Sequence, residues 1–348
     1  MLKPALKIIG GMVAIALALE LILHFLPVKY ELDRVTSEPP DPIVTAKPNS
    51  SYFYSEGWNL RAPQKGRVNA SGFAANTEYD KNRDNIAIVG DSYVESTMTK
   101  PGLRYHELLN ARSTLGVYGF GRSGADVGEY MAMAQWVVRQ WHPKVILFNL
   151  IETDVSNASV GGRGDHLLKA KDGQCVLEAT ERKDANIINT IKKSNLLRYF
   201  IYNLDVTQWY IKTFIKSGPT QPTKASDSSG QLAQQRTISQ CFLDQIGGYA
   251  SLPKNRIIFV IDAHRSNLYK GVANQTRDID VLATMAEQEG FPVIRLDGFF
   301  KAAYDSTHLR ADMSPRDWHW SEAGQALVAN AVCAYNSHAN IHPGLCAR

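Results

Sequence analysis

The hydrophobic positions of this chain fall into two regimes. From Ile8 to Leu26 they run almost unbroken for 19 residues, after Lys3 and Lys7. That length crosses a bilayer as a helix. The preceding positive charge places the N-terminus in the cytoplasm and the remainder across the membrane, periplasmic or extracellular. Glu20 and His24 interrupt the run near its C-terminal end, within reach of the interface. A cleaved signal peptide is the rival, with Ala16-Leu17-Ala18 as its small-residue site. Cleavage there would leave apolar Leu19–Leu26 on the mature terminus, so an uncleaved anchor over residues 1–27 is expected.

Beyond Pro27 the pattern breaks up and then alternates. Residues 28–50 carry Pro39, Pro40, Pro42 and Pro48 with little apolar period, which predicts a partly extended linker. Residues 51–84 predict an irregular lead-in that packs on the domain. From 85 onward short β-branched or aromatic runs appear: Asn85–Val89, Gly116–Phe120, Val145–Leu150, Arg256–Ile261 and, more weakly, Pro292–Leu296. Helical periods separate them. Asp126–Trp141 places Val127, Tyr130, Met131, Ala134, Val137, Val138 and Trp141 on one stripe. Ile279–Glu289 and Glu322–Ala334 also read as helices. Strands alternating with helices predict an α/β domain over 51–348, with a central parallel sheet covered on both faces. Residues about 155–250 break the rhythm as an insertion. It carries a Gly161–Gly164 turn, a helical stretch around 185–215 and a polar flexible loop at 217–235.

Net charge is only +4 and dispersed, which points away from nucleic-acid binding. None of the four cysteines forms a Cys-x-x-Cys pair, so zinc and redox motifs are not indicated. An even count suits disulfides in an oxidising compartment. Cys333 lies near Cys346, and Cys175 and Cys241 flank the insertion, which predicts these two pairings.

The chemistry concentrates at two places. Gly90-Asp91-Ser92 follows the first strand of the α/β region, where open α/β sheets place their ligands. Such a tripeptide arises by chance in a chain this long with odds of roughly one in ten. Far downstream stands Asp317-Trp-His319-Trp-Ser321 at the mouth of the last helix. A serine hydroxyl needs a base within hydrogen-bond reach, and the base needs an orienting group. Ser92, His319 and Asp317 make such a set. Asp305-Ser-Thr-His308 is an alternative Asp/His pair, without a glycine-punctuated helix after it. Trp318 and Trp320 either line a sugar cleft or cap the core. Arg122 either meets an acidic polymer or is an ordinary exposed arginine.

These residues resemble the SGNH/GDSL hydrolases, serine esterases and acyltransferases, over roughly 85–335. The resemblance implies a flavodoxin-like three-layer α/β/α sandwich. It matches Gly90-Asp91-Ser92 to the nucleophile block and Gly119-Phe-Gly121-Arg-Ser-Gly124 to the second block. It thereby implies an oxyanion hole from the N–H groups of Ser92 and Gly121. In the third block Thr153 stands where the family has an asparagine donor, with Asn149 or a lead-in residue as substitute. Loss of one such donor can cost about 10²–10³ in turnover. The last block normally reads Asp-x-x-His. Its closer spelling here, Asp317-x-His319, locally resembles exopolysaccharide O-acetyltransferases of the alginate type, where that motif precedes the serine.

The resemblance implies acyl transfer through a covalent Ser92 intermediate, with activity falling as the histidine base protonates. No metal or cofactor is called for. The expected substrate is an acyl ester, of envelope carbohydrate, with water or a sugar hydroxyl as acceptor. In the transferase case a membrane-bound partner would supply the acyl group. A non-catalytic scaffold of the same fold, binding glycan or a partner protein, is the alternative.

Overall fold

The computed structural model describes residues 2–37, 42–160, 166–171, 174–179, 193–206, 228–248, 252–315 and 317–347. In chain order its elements begin with α1 (Leu2–His24), β1 (Arg34–Thr36), β2 (Val44–Ala46), β3 (Ser51–Glu56) and β4 (Arg61–Arg67). Then follow β5 (Asn85–Gly90), α2 (Ser92–Glu95), α3 (Tyr105–Ala111), β6 (Gly116–Gly121), α4 (Val127–Trp141) and β7 (Val145–Leu150). The next are α5 (Asp154–Val160), β8 (His166–Lys171), β9 (Gln174–Ala179), α6 (Asn195–Arg198) and α7 (Ser228–Gly247). The chain closes with β10 (Ile257–Ile261), α8 (Arg265–Lys270), α9 (Asp278–Gln288), β11 (Val293–Arg295), α10 (Asp297–Thr307), β12 (Asp312–Ser314), β13 (Asp317–Trp320) and α11 (Glu322–Ala339).

Packing divides the chain into two compact units. One comprises Met1–Leu32, Ser51–Gly66 and Arg182–Ala225. Its α1 holds the apolar stretch Leu6–His24, long enough to cross a membrane, with mean hydropathy 2.2. The helix stops at His24, so Phe25 and Leu26 lie in a turn rather than on it. Glu20 accepts hydrogen bonds from Ser194 Oγ at 2.8 Å and from the backbone N–H groups of Asn195 and Leu196 at 2.7 and 2.8 Å. A carboxylate in an apolar helix is costly unless its oxygens are satisfied, and these donors satisfy them. β3 pairs with β4, so residues 51–67 form a hairpin where an irregular lead-in was expected.

The other unit comprises Asp33–Ser50, Arg67–Glu181 and Ser226–Arg348. Its sheet has the order β11-β10-β7-β5-β6, with every neighbouring pair parallel. Taken in order of appearance, this is the 2-1-3-4-5 arrangement of flavodoxin-like folds. The strands are buried on both faces because their alternate residues enter two cores. Val89, Phe120, Phe148 and Phe259 meet α4, α7 and α9 on one side. Ile88, Val117, Leu147 and Val260 meet α2, α3, α10 and α11 on the other. Each such fully buried side chain contributes roughly 1.5–3 kcal/mol. The predicted α/β sandwich is therefore present, with the bounds of all five strands within about a residue of those expected.

Two expectations about the connections change. The linker predicted at 28–50 contains the antiparallel pair β1–β2, and its residues 33–50 belong to the sheet-bearing unit. Ile43 beside β2 is buried in the core, which gives that short hairpin an apolar anchor. Of the polar tract 217–235, residues from Ser228 onward are helical in α7. Gln231 to Gln235 precede the apolar stripe Ile238, Phe242 and Ile246, which packs that helix on the sheet. The Gly161–Gly164 turn and most of 185–215 lie outside the described residues. Disulfides join Cys175 to Cys241 and Cys333 to Cys346, the two expected pairs.

Candidate active site

The order of the sheet reverses between β5 and β7, and a crevice at such a switch point, outside the strand ends, is where α/β sheets bind ligands. β5 delivers Asp91 and Ser92 there. Asp91 caps α2, its Oδ1 accepting the Tyr93 N–H at 2.9 Å. The short helix α2 begins at Ser92, carries Tyr93 to Glu95 and is ended by Ser96 in the left-handed conformation. The serine side chain is half-buried and faces the β12–β13 ribbon.

Asp317 and His319 both sit on β13, a short strand that runs directly into Ser321, the N-cap of α11. Residues two apart on a strand share a face, so the one-residue-shorter spacing still brings carboxylate and imidazole together. His319 Nδ1 lies 2.5 Å from Asp317 Oδ1, and its Nε2 lies 2.7 Å from Ser92 Oγ. A carboxylate on Nδ1 fixes the proton there and turns the Nε2 lone pair toward the hydroxyl. The Asp317 oxygen also accepts the His319 N–H at 3.0 Å, which holds the pair rigid. Ser92 Oγ is 3.2 Å from Asp91 Oδ2, a longer contact than the one to the imidazole.

Residues that sequence reasoning passed over dock β13 on α2. Tyr93 donates its hydroxyl to the Trp318 carbonyl at 2.8 Å and accepts from Arg265 Nη2 at 3.0 Å. Arg265 is buried and also bonds Asp262 and Asp312. Burial opposes its charge, but the Asp262 carboxylate outweighs that cost and raises its pKa. Trp320 Nε1 donates to Asp262 Oδ1 at 3.0 Å. The signal available in sequence was the polar string Asp262-Ala-His264-Arg265 directly after an apolar strand.

Gly121 ends β6 in register with Gly90. A Cβ there would lie 2.2 Å from the Glu95 nitrogen, so only glycine lets β6 approach α2 this closely. Thr153 is exposed in the turn after β7 and lines a cavity of about 740 Å³ together with Tyr93, Glu152, Arg277 and Trp318. Asn149, the substitute donor, is fully buried on β7 and does not line that cavity. Trp318 and Trp320 divide the two roles offered for them: Trp320 is fully buried in the core, whereas Trp318 is 39% exposed. Arg122 is buried beside Glu129 rather than exposed. His308 ends α10 with φ 56°, its ring beside Tyr304, and Asp305 pairs with Lys301 at 2.6 Å. The structure thus brings His319, not His308, to Ser92.

No family model and no curated protein matches this chain. Solved structures do. A two-domain esterase (CEX) active on acetylated mannans is 11% identical, with a TM-score of 0.42 over 75% of this chain and 50% of that one, so the match spans half of its length. LAE5, an alpha/beta hydrolase enzyme from the metagenome of Lake Arreo, Spain, is 15% identical over 76% and 97%, with a TM-score of 0.42. A member of the lipolytic protein G-D-S-L family from Veillonella parvula is 13% identical over 73% and 98%, with a TM-score of 0.37.

Beside Ser92 lies a buried acid cluster. Burial pushes the Asp91 carboxyl up to about 6, against the Tyr93 N–H and the nearby imidazole, which favour its charge. Burial, with Asp91 as a like charge, holds Asp154 well above the ordinary carboxylate range. Its Oδ2 accepts from Tyr130 at 3.0 Å and from the Ile151 N–H at 2.8 Å. Like charges so placed in low dielectric do not ionise together.

Proposed function

We propose that this chain is a membrane-anchored, extracytoplasmic serine esterase or O-acyltransferase that acts on acyl esters of carbohydrate. One observation carries the reading: the continuous chain from Ser92 Oγ through His319 to the Asp317 carboxylate. Ser92 Oγ attacks the ester carbonyl while its proton passes to His319 Nε2. Asp317 stabilises the imidazolium that forms. The backbone N–H groups of Ser92 and Gly121, with the Thr153 hydroxyl, receive the oxyanion. Collapse returns the proton from His319 to the leaving alcohol and leaves an acyl-Ser92. Water or a sugar hydroxyl then attacks the acyl carbon while its proton passes to His319, and collapse breaks the acyl–Oγ bond as His319 returns that proton to Ser92 Oγ.

The cavity adjoins the pair through Tyr93 and Trp318, without Ser92 or His319 in its wall, and its lining supports a polar, hydroxyl-rich substrate. Glu152, Thr153 and Ser156 supply hydrogen-bonding groups, and Trp318 supplies an apolar face. The apolar stretch Leu6–His24 supports anchoring, and the two disulfides support an oxidising compartment. The test is covalent labelling of the full chain in detergent with a fluorophosphonate, alongside turnover of a chromogenic acetyl ester. Labelling at Ser92 that Ser92→Ala abolishes is expected. No labelling and no turnover would leave the scaffold alternative in its place. Turnover in the presence of an oligosaccharide acceptor separates transfer from hydrolysis by its acylated product.

A further inference from the structure

The segment that follows the apolar helix reaches the nucleophile turn. Arg34 on β1 forks onto Glu95, Nη1 to Oε1 at 2.6 Å and Nη2 to Oε2 at 2.8 Å. Glu95 is the last residue of α2, three positions after Ser92, and only 2% of it is exposed. Its Oε2 also accepts the Ser123 N–H at 3.2 Å and the Ser123 hydroxyl. Ser123 lies two residues past Gly121, which itself presses against the backbone of Val94 and Glu95. One carboxylate therefore ties together the hairpin, the helix that starts at Ser92 and the loop that carries the second oxyanion candidate.

We infer that Glu95, gripped by Arg34, is a positioning residue that sets the spacing between the Ser92 turn and the Gly121–Ser123 loop. On this view β1–β2 is part of the working site rather than a spacer. The catalytic consequence rests on the esterase reading; the positioning itself does not. A bidentate arginine suits the task, because a planar fork fixes both direction and distance. Burial pushes Glu95 toward its neutral form, but the Arg34 guanidinium outweighs this and holds its carboxyl below the usual range, so the grip is ionic. Misplacing a reacting group by about 1 Å can cost about 10²-fold in rate.

The test compares Arg34→Gln and Arg34→Lys with the parent, as full chains in detergent. Two measurements are made: amide hydrogen exchange over residues 91–97 and 119–125, and kcat and KM on an acetyl ester. Arg34→Gln is expected to speed exchange at least about tenfold in those two segments, with β7 and β10 unchanged. It should lower kcat by about 30- to 100-fold and move KM by less than about twofold. Arg34→Lys should fall between, since an ammonium reaches one oxygen but cannot fork. It carries the same test if the glutamine variant does not fold. Unchanged exchange in both segments overturns the inference, as does faster exchange spread through the sheet with kcat retained. Failure of the esterase reading looks different: the parent's Ser92 is not labelled, and the exchange measurement alone then decides the positioning.

Discussion

His308 and His319 each follow an aspartate closely, and they lie 11 residues apart, yet the fold treats them differently. Asp305 and His308 sit at the end of α10, where the helix runs out into solvent. Asp305 is taken by Lys301 one helical turn back, and exposed pairs of this kind contribute little. Asp317 and His319 sit on a short strand whose neighbours, Trp318 and Trp320, are used to dock it. The strand aims its inner face at the end of β5. A local Asp/His motif alone gives an imidazole no serine to face; the packing of β13 on α2 gives His319 one at the other end of its ring. The literal Asp-x-x-His spelling therefore mattered less than which element carried it.

The comparison can be broken most directly at the reacting atoms. Ser92→Ala and His319→Ala should each lower kcat on an acetyl ester by about 10⁴–10⁶-fold. A retained rate in His319→Ala would transfer the role to another group. Asp317→Asn should cost about 10³–10⁴-fold, because the amide no longer fixes the productive tautomer. If Asp317→Asn left kcat within tenfold, Asp317 would be a structural neighbour rather than the orienting group.

A smaller effect concerns the carboxyl beneath the site. Asp91 in the folded chain titrates at about 6, above its ordinary 3.8. Between about pH 4 and 6 the folded chain holds a proton that the unfolded chain has lost. The stability this group contributes is therefore full below about pH 4 and lost as pH rises through 6. Asp91→Asn can keep the cap on Tyr93 without carrying a charge. Relative to the parent it should gain on the order of 2–3 kcal/mol between pH 4 and pH 7, measured by urea unfolding of the full chain. A difference that does not vary with pH would show that Asp91 stays ionised. The smallest effect is expected at the other histidine. His308→Ala should leave kcat within about twofold, and a fall beyond tenfold would reopen its claim.

Much of this was legible in the chain. The runs from Asn85, Gly116, Val145 and Ile257 are apolar at successive positions because both sheet faces are covered, and such strands announce themselves. Ser92, Asp317 and His319 were legible because their spacing to a strand or helix carried chemical meaning. The hairpin at 34–46 was not. Its strands are three residues each among prolines, and its anchors are the buried Ile43 and an ion pair with Glu95, 61 positions from Arg34. Arg265 and Asp262 were likewise obscure, since their partners Tyr93, Asp312 and Trp320 come from separate stretches of sequence.

By itself the sequence determined the apolar helix, the alternation of strands with helices, and the residue types able to form a nucleophile and its base. Those follow from local period and local chemistry. Tertiary structure decided which histidine faces Ser92, that Trp320 serves the core while Trp318 lines the cavity, and that Arg34 grips Glu95. Each of these is a contact between distant positions, fixed by how strands and helices pack rather than by any period along the chain.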